Sequence, residues 1–188
     1  MIRTAVTLAA LVAAPALYGA DLVSVAVERN GPRYIVTSVS TYDASQAGLL
    51  HVLLDYDNFH QVSSVFKEAK YLDPAPDGAR RGYTRVEGCI VFFCQTIERI
   101  DRIVLHDGPT IVAISEPDPD DFKFSHASWR FEQNGNGVTI HYRLEMEPGF
   151  WVPPLVGPYM MKKKLVDGAT DAMQRVEKRA QAFDNGTY

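Results

Sequence analysis

Most of the spacings that carry chemistry are missing from this sequence. Its five histidines, His51, His60, His106, His126 and His141, fall at no HxH or HxxxH spacing, so no imidazole pair is set to hold a metal ion. No GxSxG, Walker or GxGxxG pattern occurs, which removes the nucleophile elbow and both phosphate-cradling loops. The only two cysteines, Cys89 and Cys94, lack the CxxC spacing of a thioredoxin-like redox site. Excess positive charge is absent too: 19 Lys and Arg against 23 Asp and Glu leave a net charge of −4, which argues against a nucleic-acid partner. The apolar run Ala5–Ala16 is too short to span a membrane. Repeats, low-complexity tracts and interdomain linkers do not occur.

What is present suits one domain with a sizeable core: 188 residues, 46 % of them hydrophobic. The first twenty residues stand apart. Arg3 supplies a positive start, Ala5–Ala16 an apolar run, and Ala14, Ala16, Gly19 and Ala20 the small residues of a cleavage region. Residues 1–20 therefore read as a secretory signal peptide, with an uncleaved anchor as the alternative, and 21–188 as the domain. Cleavage after Ala16 fits better than after Ala20, which would put Tyr18 at −3. The expected location is periplasmic or secreted. Export permits a disulfide between Cys89 and Cys94. On one straight strand their side chains would face opposite ways. A bridge needs a turn across Ile90–Phe93, and the alternative is two buried thiols.

Alternation then predicts strands. Leu22–Arg29 places Val23, Val25 and Val27 on one face, Asn30-Gly31 signals a hairpin, and Arg33–Tyr42 follows. Asp43 or Ser45 caps a helix over Ala44–Asp55, and Tyr56–Val65 reads as a second short helix or turn. Val65–Leu72, Arg80–Cys89, Phe92–His106, Thr110–Ser115, Phe122–Gln133 and Val138–Glu147 read as further strands joined by short links, hence antiparallel. In the last of these, Val138, Ile140, Tyr142, Leu144 and Met146 share the face opposite Thr139, His141, Arg143, Glu145 and Glu147. Pro158 opens a final helix of roughly 39 Å at 1.5 Å per residue. Its apolar stripe is Val166, Ala169, Met173, Val176, Ala180 and Phe183. The expected fold is α+β, a curved antiparallel sheet of about seven strands wrapped around a long C-terminal helix, with two short helices after the second strand.

This order resembles the START/SRPBCC superfamily, the helix-grip fold shared with polyketide cyclase-like proteins and plant pollen allergens. The resemblance covers residues 22–183 and rests on Leu54-Asp55-Tyr56-Asp57-Asn58-Phe59, the Trp129-x-Phe131 strand with its glycine turn, and Pro148. Cys89-x-x-x-Phe93-Cys94, Pro117 with Asp121-Phe122, and Phe150-Trp151-Val152-Pro153-Pro154-Leu155-Val156-Gly157-Pro158 resemble a narrower group of exported START-like proteins from bacteria. The resemblance implies a hydrophobic cavity between the sheet and the C-terminal helix, and a lipid-like small-molecule ligand. Tyr56, Tyr83, Arg85 and Tyr142 are the expected polar handles. Phe59, Trp129, Phe131, Leu144, Val166, Ala169 and Met173 are the expected apolar lining.

The expected function is binding or carriage of a hydrophobic ligand by a monomer, with no cofactor or metal and no catalytic residue assigned. Two alternatives stand beside it. A cyclase- or hydrolase-like enzyme would need a buried titratable group at the pocket, such as Glu87, Arg85 or Tyr83. An envelope interaction module would have a filled core and bind protein through a sheet edge or the Phe150–Pro158 segment. Lys162-Lys163-Lys164 beside Trp151, Tyr159, Met160 and Met161 is a candidate for transient membrane-surface contact, against the blander reading of a solvated lysine face. Phe92 and Phe93, if exposed on a turn, are a second candidate, against the reading that they pack in the core. Asp118, Asp120 and Asp121 read as a solvated turn, and His51 with Asp55 as a helix-surface pair.

Overall fold

A computed structural model describes residues 19–90, 93–106, 108–118, 120–152 and 156–188. The leader expected over 1–20 lies outside them except for Gly19 and Ala20, and so do Phe92 and Pro153–Leu155. The alternating runs form β1 (Asp21–Asn30) and β2 (Arg33–Tyr42), then β3 (Phe66–Leu72), β4 (Arg80–Ile90), β5 (Phe93–His106), β6 (Thr110–Ser115), β7 (Phe122–Asn134) and β8 (Gly137–Pro148). They make one antiparallel sheet in the order β1-β2-β8-β7-β6-β5-β4-β3. The β4–β5 segment folds back on itself as a hairpin. Each of the eight alternating runs forms its own strand, so the sheet holds eight where about seven were expected, and Cys89 lies directly across from Cys94 in its register.

Glycine sets the hairpins. Gly31 (φ 60°) and Gly135 (φ 61°) each occupy the first of two central turn positions, where a side chain would be strained. The first turn is Gly31-Pro32, because Asn30 still pairs with Arg33. Gly with positive φ followed by proline is the pattern of a II′ turn.

Between β2 and β3 lie α1 (Gln46–Leu54), a single 3₁₀ turn (Tyr56–Asn58) and α2 (Phe59–Val62). The Ser45 hydroxyl accepts the Gly48 N–H at 2.9 Å and so caps α1. The long α3 (Gly157–Asp184) has Pro158 in its first turn. It packs on α1 and against β1, completing a helix-grip fold. Leu49, Val52, Phe131, Val138, Ile140 and Ala180 are almost wholly buried where α1, α3 and the sheet meet. At that crossing a Cβ on Gly48 would lie 2.6 Å from the Ala180 carbonyl oxygen.

One expected face is overturned. The β1–β2 register shifts between Leu22 and Ser24, so Val23 is bulged out and 59 % exposed. Leu22, not Val23, joins Val25 on the inner side. A bulge adds one residue to a period of two and swaps every face beyond it.

Candidate functional site under the last helix

The two halves of α3 are held differently. In the C-terminal half Met173, Val176, Glu177 and Ala180 are buried. The Glu177 carboxylate accepts the Asp43 N–H at 2.7 Å, and Asp184 accepts the Ser45 N–H at 2.9 Å and also the Ser45 hydroxyl. In the N-terminal half, residues 162–168 are all exposed. The space beneath that half is a cavity of ≈ 210 Å³. Its floor is Val36, Ser38, Ser40 and Tyr42 of β2, with Ile140 and Tyr142 of β8 and Trp129 of β7. Leu165, Ala169 and Met173 of α3 form the roof, Leu53 closes one side, and Leu22 and Val25 form the β1 wall. A second hollow, ≈ 370 Å³, shares none of these residues and is lined by Leu54, Asp77–Arg80 and Ile103–Leu105.

Of the residues expected to line the cavity, the structure brings together Trp129, Tyr142, Ala169 and Met173. The Trp129 and Tyr142 rings lie 5.0 Å apart, centroid to centroid. Phe131 is buried in the adjoining core. Leu144 sits further along β8, across from Val36 and Ala127. Tyr56 and Phe59 stack on one another at 4.4 Å. Tyr56 lies so close over Gly82 that a Cβ there would be 2.2 Å from its ring.

Tyr83 and Arg85 point away from the Gly82 side. The Lys70 ammonium lies 5.2 Å from the Tyr83 ring centre, and Arg85 pairs with Glu87 at 3.1 Å. Alternation along unbulged β4 explains this: the residue that faces Tyr56 is Gly82, so its neighbour at 83 faces out. Val166 is 43 % exposed, and Leu165 takes its place in the roof. Both positions lie one turn before Ala169, and helical spacing alone does not choose between them.

Inward-facing β5 carries groups that sequence reasoning missed. Arg99 donates to both oxygens of Asp101 at 2.9 Å, and the Ser115 hydroxyl donates to Asp101 at 2.5 Å. Arg99 and Asp101 are 19 % and 5 % exposed, and the Arg99 Nε has no hydrogen-bond partner. The sequence signal was their placement in β5 at alternate positions in line with Ile97 and Ile103.

The pair acts on its neighbours. Burial pushes the Tyr142 phenol up from 10.0 to about 12; Arg99 offsets part of that and Asp101 adds to it. Burial and then Asp101 also raise the Tyr56 phenol. Burial raises Tyr42 as well, with a Ser40 hydrogen bond lowering it in part and Glu177 adding to the rise. At neutral pH these phenols stay protonated. The cavity therefore presents hydroxyl donors and acceptors amid apolar walls. Among the described residues, no carboxylate, imidazole, guanidinium or amine lines it.

Other expected pairs resolve plainly. His51 stacks on Phe183 at 4.3 Å and meets Tyr188 edge-on at 4.5 Å, while Asp55 pairs with Arg179 at 3.3 Å. The expected His51–Asp55 pair does not form, because the C-terminal end of α3 covers that face of α1. Asp118 and Asp121 accept the N–H groups of Asp120 and Glu98, at 2.9 and 2.8 Å. Among the described residues no cluster fit for a metal ion occurs.

An antiparallel sheet closed by a long last helix, with an apolar, hydroxyl-bearing cavity between them, defines a helix-grip class. A family described as polyketide cyclase/dehydrase and lipid transport matches residues 33–181, and the chain belongs to that family. Among solved structures, a START superfamily protein from Mycobacterium smegmatis is similar at 17 % identity and a TM-score of 0.60, over 79 % of this chain and 98 % of its own. A STAR-related lipid transfer protein from Xanthomonas axonopodis gives 15 %, 0.62, 85 % and 99 %. An aromatase/cyclase from a Streptomyces species gives 11 %, 0.59, 80 % and 94 %. At these identities the likeness shows the fold. A search of the curated proteins found no match.

Proposed function

We propose that this chain is an exported monomeric carrier that binds a hydrophobic small molecule between the sheet and the first half of α3. One observation carries the reading: a ≈ 210 Å³ space lined by apolar and hydroxyl groups lies under a helix segment packed on only one side. Ligand sites combine mainly apolar walls with a few placed polar groups, and this space has that composition. Family membership agrees with it, as do a lipid transfer protein and an aromatase/cyclase among its structural neighbours.

Native mass spectrometry of protein purified from its host, followed by a lipid-extract challenge, tests the reading. A bound small molecule is expected in the native protein and absent in Ala169→Phe, which fills the roof. Retention of nothing, and uptake of nothing from the extract, overturns it.

The apolar leader of residues 1–20 supports export. Cell fractionation should find the protein in the envelope or medium, with a cleaved N-terminus by mass spectrometry. The register that sets Cys89 opposite Cys94 supports a Cys89–Cys94 bridge, which an intact mass two hydrogens short of the reduced value would establish. Trp151 is 69 % and Tyr159 70 % exposed, and Lys162, Lys163 and Lys164 at the start of α3 are exposed too. Aromatic and basic groups together fit the surface of an anionic bilayer. Co-sedimentation with phosphatidylglycerol vesicles, weakened when all three lysines become glutamine, is the expected outcome.

A further inference from the structure

The charges nearest the cavity are already engaged. The Glu177 carboxylate accepts the Asp43 N–H at 2.7 Å, and Asp101 is held by Arg99 and Ser115. What remains for a ligand is hydroxyl: Ser38, Ser40, Tyr42 and Tyr142 on the floor. Three of these lie at alternate positions of β2. Tyr142 lies across from Ser38 on β8, so the four form one polar patch facing α3. The Trp129 and Tyr142 rings make an aromatic wall beside it. At ≈ 210 Å³ the space falls below the roughly 300–1,000 Å³ of drug-sized sites.

From this we infer that the ligand is a compact, uncharged, ring-bearing alcohol or ketone, read by the Ser38–Ser40–Tyr42–Tyr142 hydroxyls. The inference rests on the binding reading above and narrows it. A carboxylate or phosphate would leave water for a lining that carries no cation, the guanidinium that acts on Tyr142, Arg99, being already paired with Asp101. An ammonium would find no carboxylate in the lining either, the nearby Glu177 carboxylate being turned to the Asp43 N–H. Burying a charge without a partner is strongly unfavourable, whereas a hydroxyl or carbonyl exchanges its water bonds for bonds to the patch. A diacyl lipid exceeds the space.

Four probes on one ring system test this by calorimetric titration at neutral pH: naphthalene itself, and naphthol, naphthoate and naphthylmethylamine, the last three substituted at the same ring position. Naphthol should bind at least about tenfold more tightly than naphthoate or the amine, the cost of an unpaired buried charge. It should also exceed naphthalene by roughly 2- to 10-fold, the worth of one or two hydrogen bonds. Ser40→Ala and Tyr142→Phe, each checked for unchanged melting, should erase the naphthol advantage and leave naphthalene affinity alone. Ala169→Phe should abolish binding of both.

Naphthoate or the amine binding as tightly as naphthol overturns the uncharged-ligand inference but leaves the cavity reading standing. So does a naphthol advantage that survives both hydroxyl variants. Binding of no probe, or naphthol binding that survives Ala169→Phe, overturns both.

Discussion

At the scale of single residues, two positions show how a side chain's role follows from what it touches. Gly82 is required by Tyr56. With the ring at 2.2 Å from a would-be Cβ, and pinned between Phe59 and Tyr71 at 4.4 and 5.3 Å, it has nowhere to move. Gly82→Ala should cost about 1–3 kcal/mol by overpacking, read as a lower urea midpoint at unchanged slope. Tyr142 is a pH reporter. Its phenol titrates at 10.0 when exposed and at about 12 when folded. Between those values the unfolded chain has released a proton that the folded chain keeps. Stability present below about pH 10 is therefore lost as pH rises toward 12, by at most about 3 kcal/mol. Tyr142→Phe should flatten that alkaline limb in denaturation curves. It should not remove it, because the Tyr56 phenol is raised too. Tyr142 and Trp129 were legible as inward residues because β7 and β8 run unbroken past each other from Phe124 to Asn134. Arg99 and Asp101 were not, since two charges on an alternating strand read as solvent-facing until the strand's other face is known.

At the scale of elements, α3 is one helix with two mechanical regimes. Its last turns are tied to α1 through Asp184 on Ser45 and Glu177 on Asp43. A carboxylate at the start of α1 also faces that helix's positive end. Asp184→Ala should lower stability by about 1 kcal/mol, the worth of a capping contact, measured by thermal unfolding. The stretch over 162–168 lacks such ties. Amides there should exchange with deuterium at least about tenfold faster than those over 173–183, because local opening is set by packing. Equal protection along the helix would contradict this. The helix itself was plain from its proline start and stripe. Which residue roofed the cavity was not, because Leu165 and Val166 satisfy the same periodicity and only the docking of Ala169 and Met173 separates them. In β1 the bulge at Val23 defeated parity in the same way, with no local residue to announce it.

At the scale of the molecule, the sheet divides its labour by face: cavity, core and buried ion pair inside, charge pairs outside. Arg81 grips Glu116 through two bonds of 2.7 and 2.8 Å, Arg33 holds Glu145 at 2.7 Å, and Arg130 with His141 holds Glu132 at 3.2 and 3.1 Å. Each arginine contact holds its carboxyl below the usual 4.5. A depressed carboxylate adds stability that is present above its unfolded value and lost as pH falls through its folded one. Acid should therefore weaken the fold progressively below about pH 4.5, the unfolded chain taking up protons first. These pairs are exposed, so salt reaches them. At about 1 M salt, where the screening length is about 3 Å, the carboxyls return toward their ordinary values and the acid limb should become shallower. Urea midpoints measured down the acid range at low and high salt test this. Glu116→Gln should remove part of the slope at low salt and little at high salt. A limb that keeps its steepness in high salt would contradict this assignment to the exposed pairs, whose charges the screening ions reach.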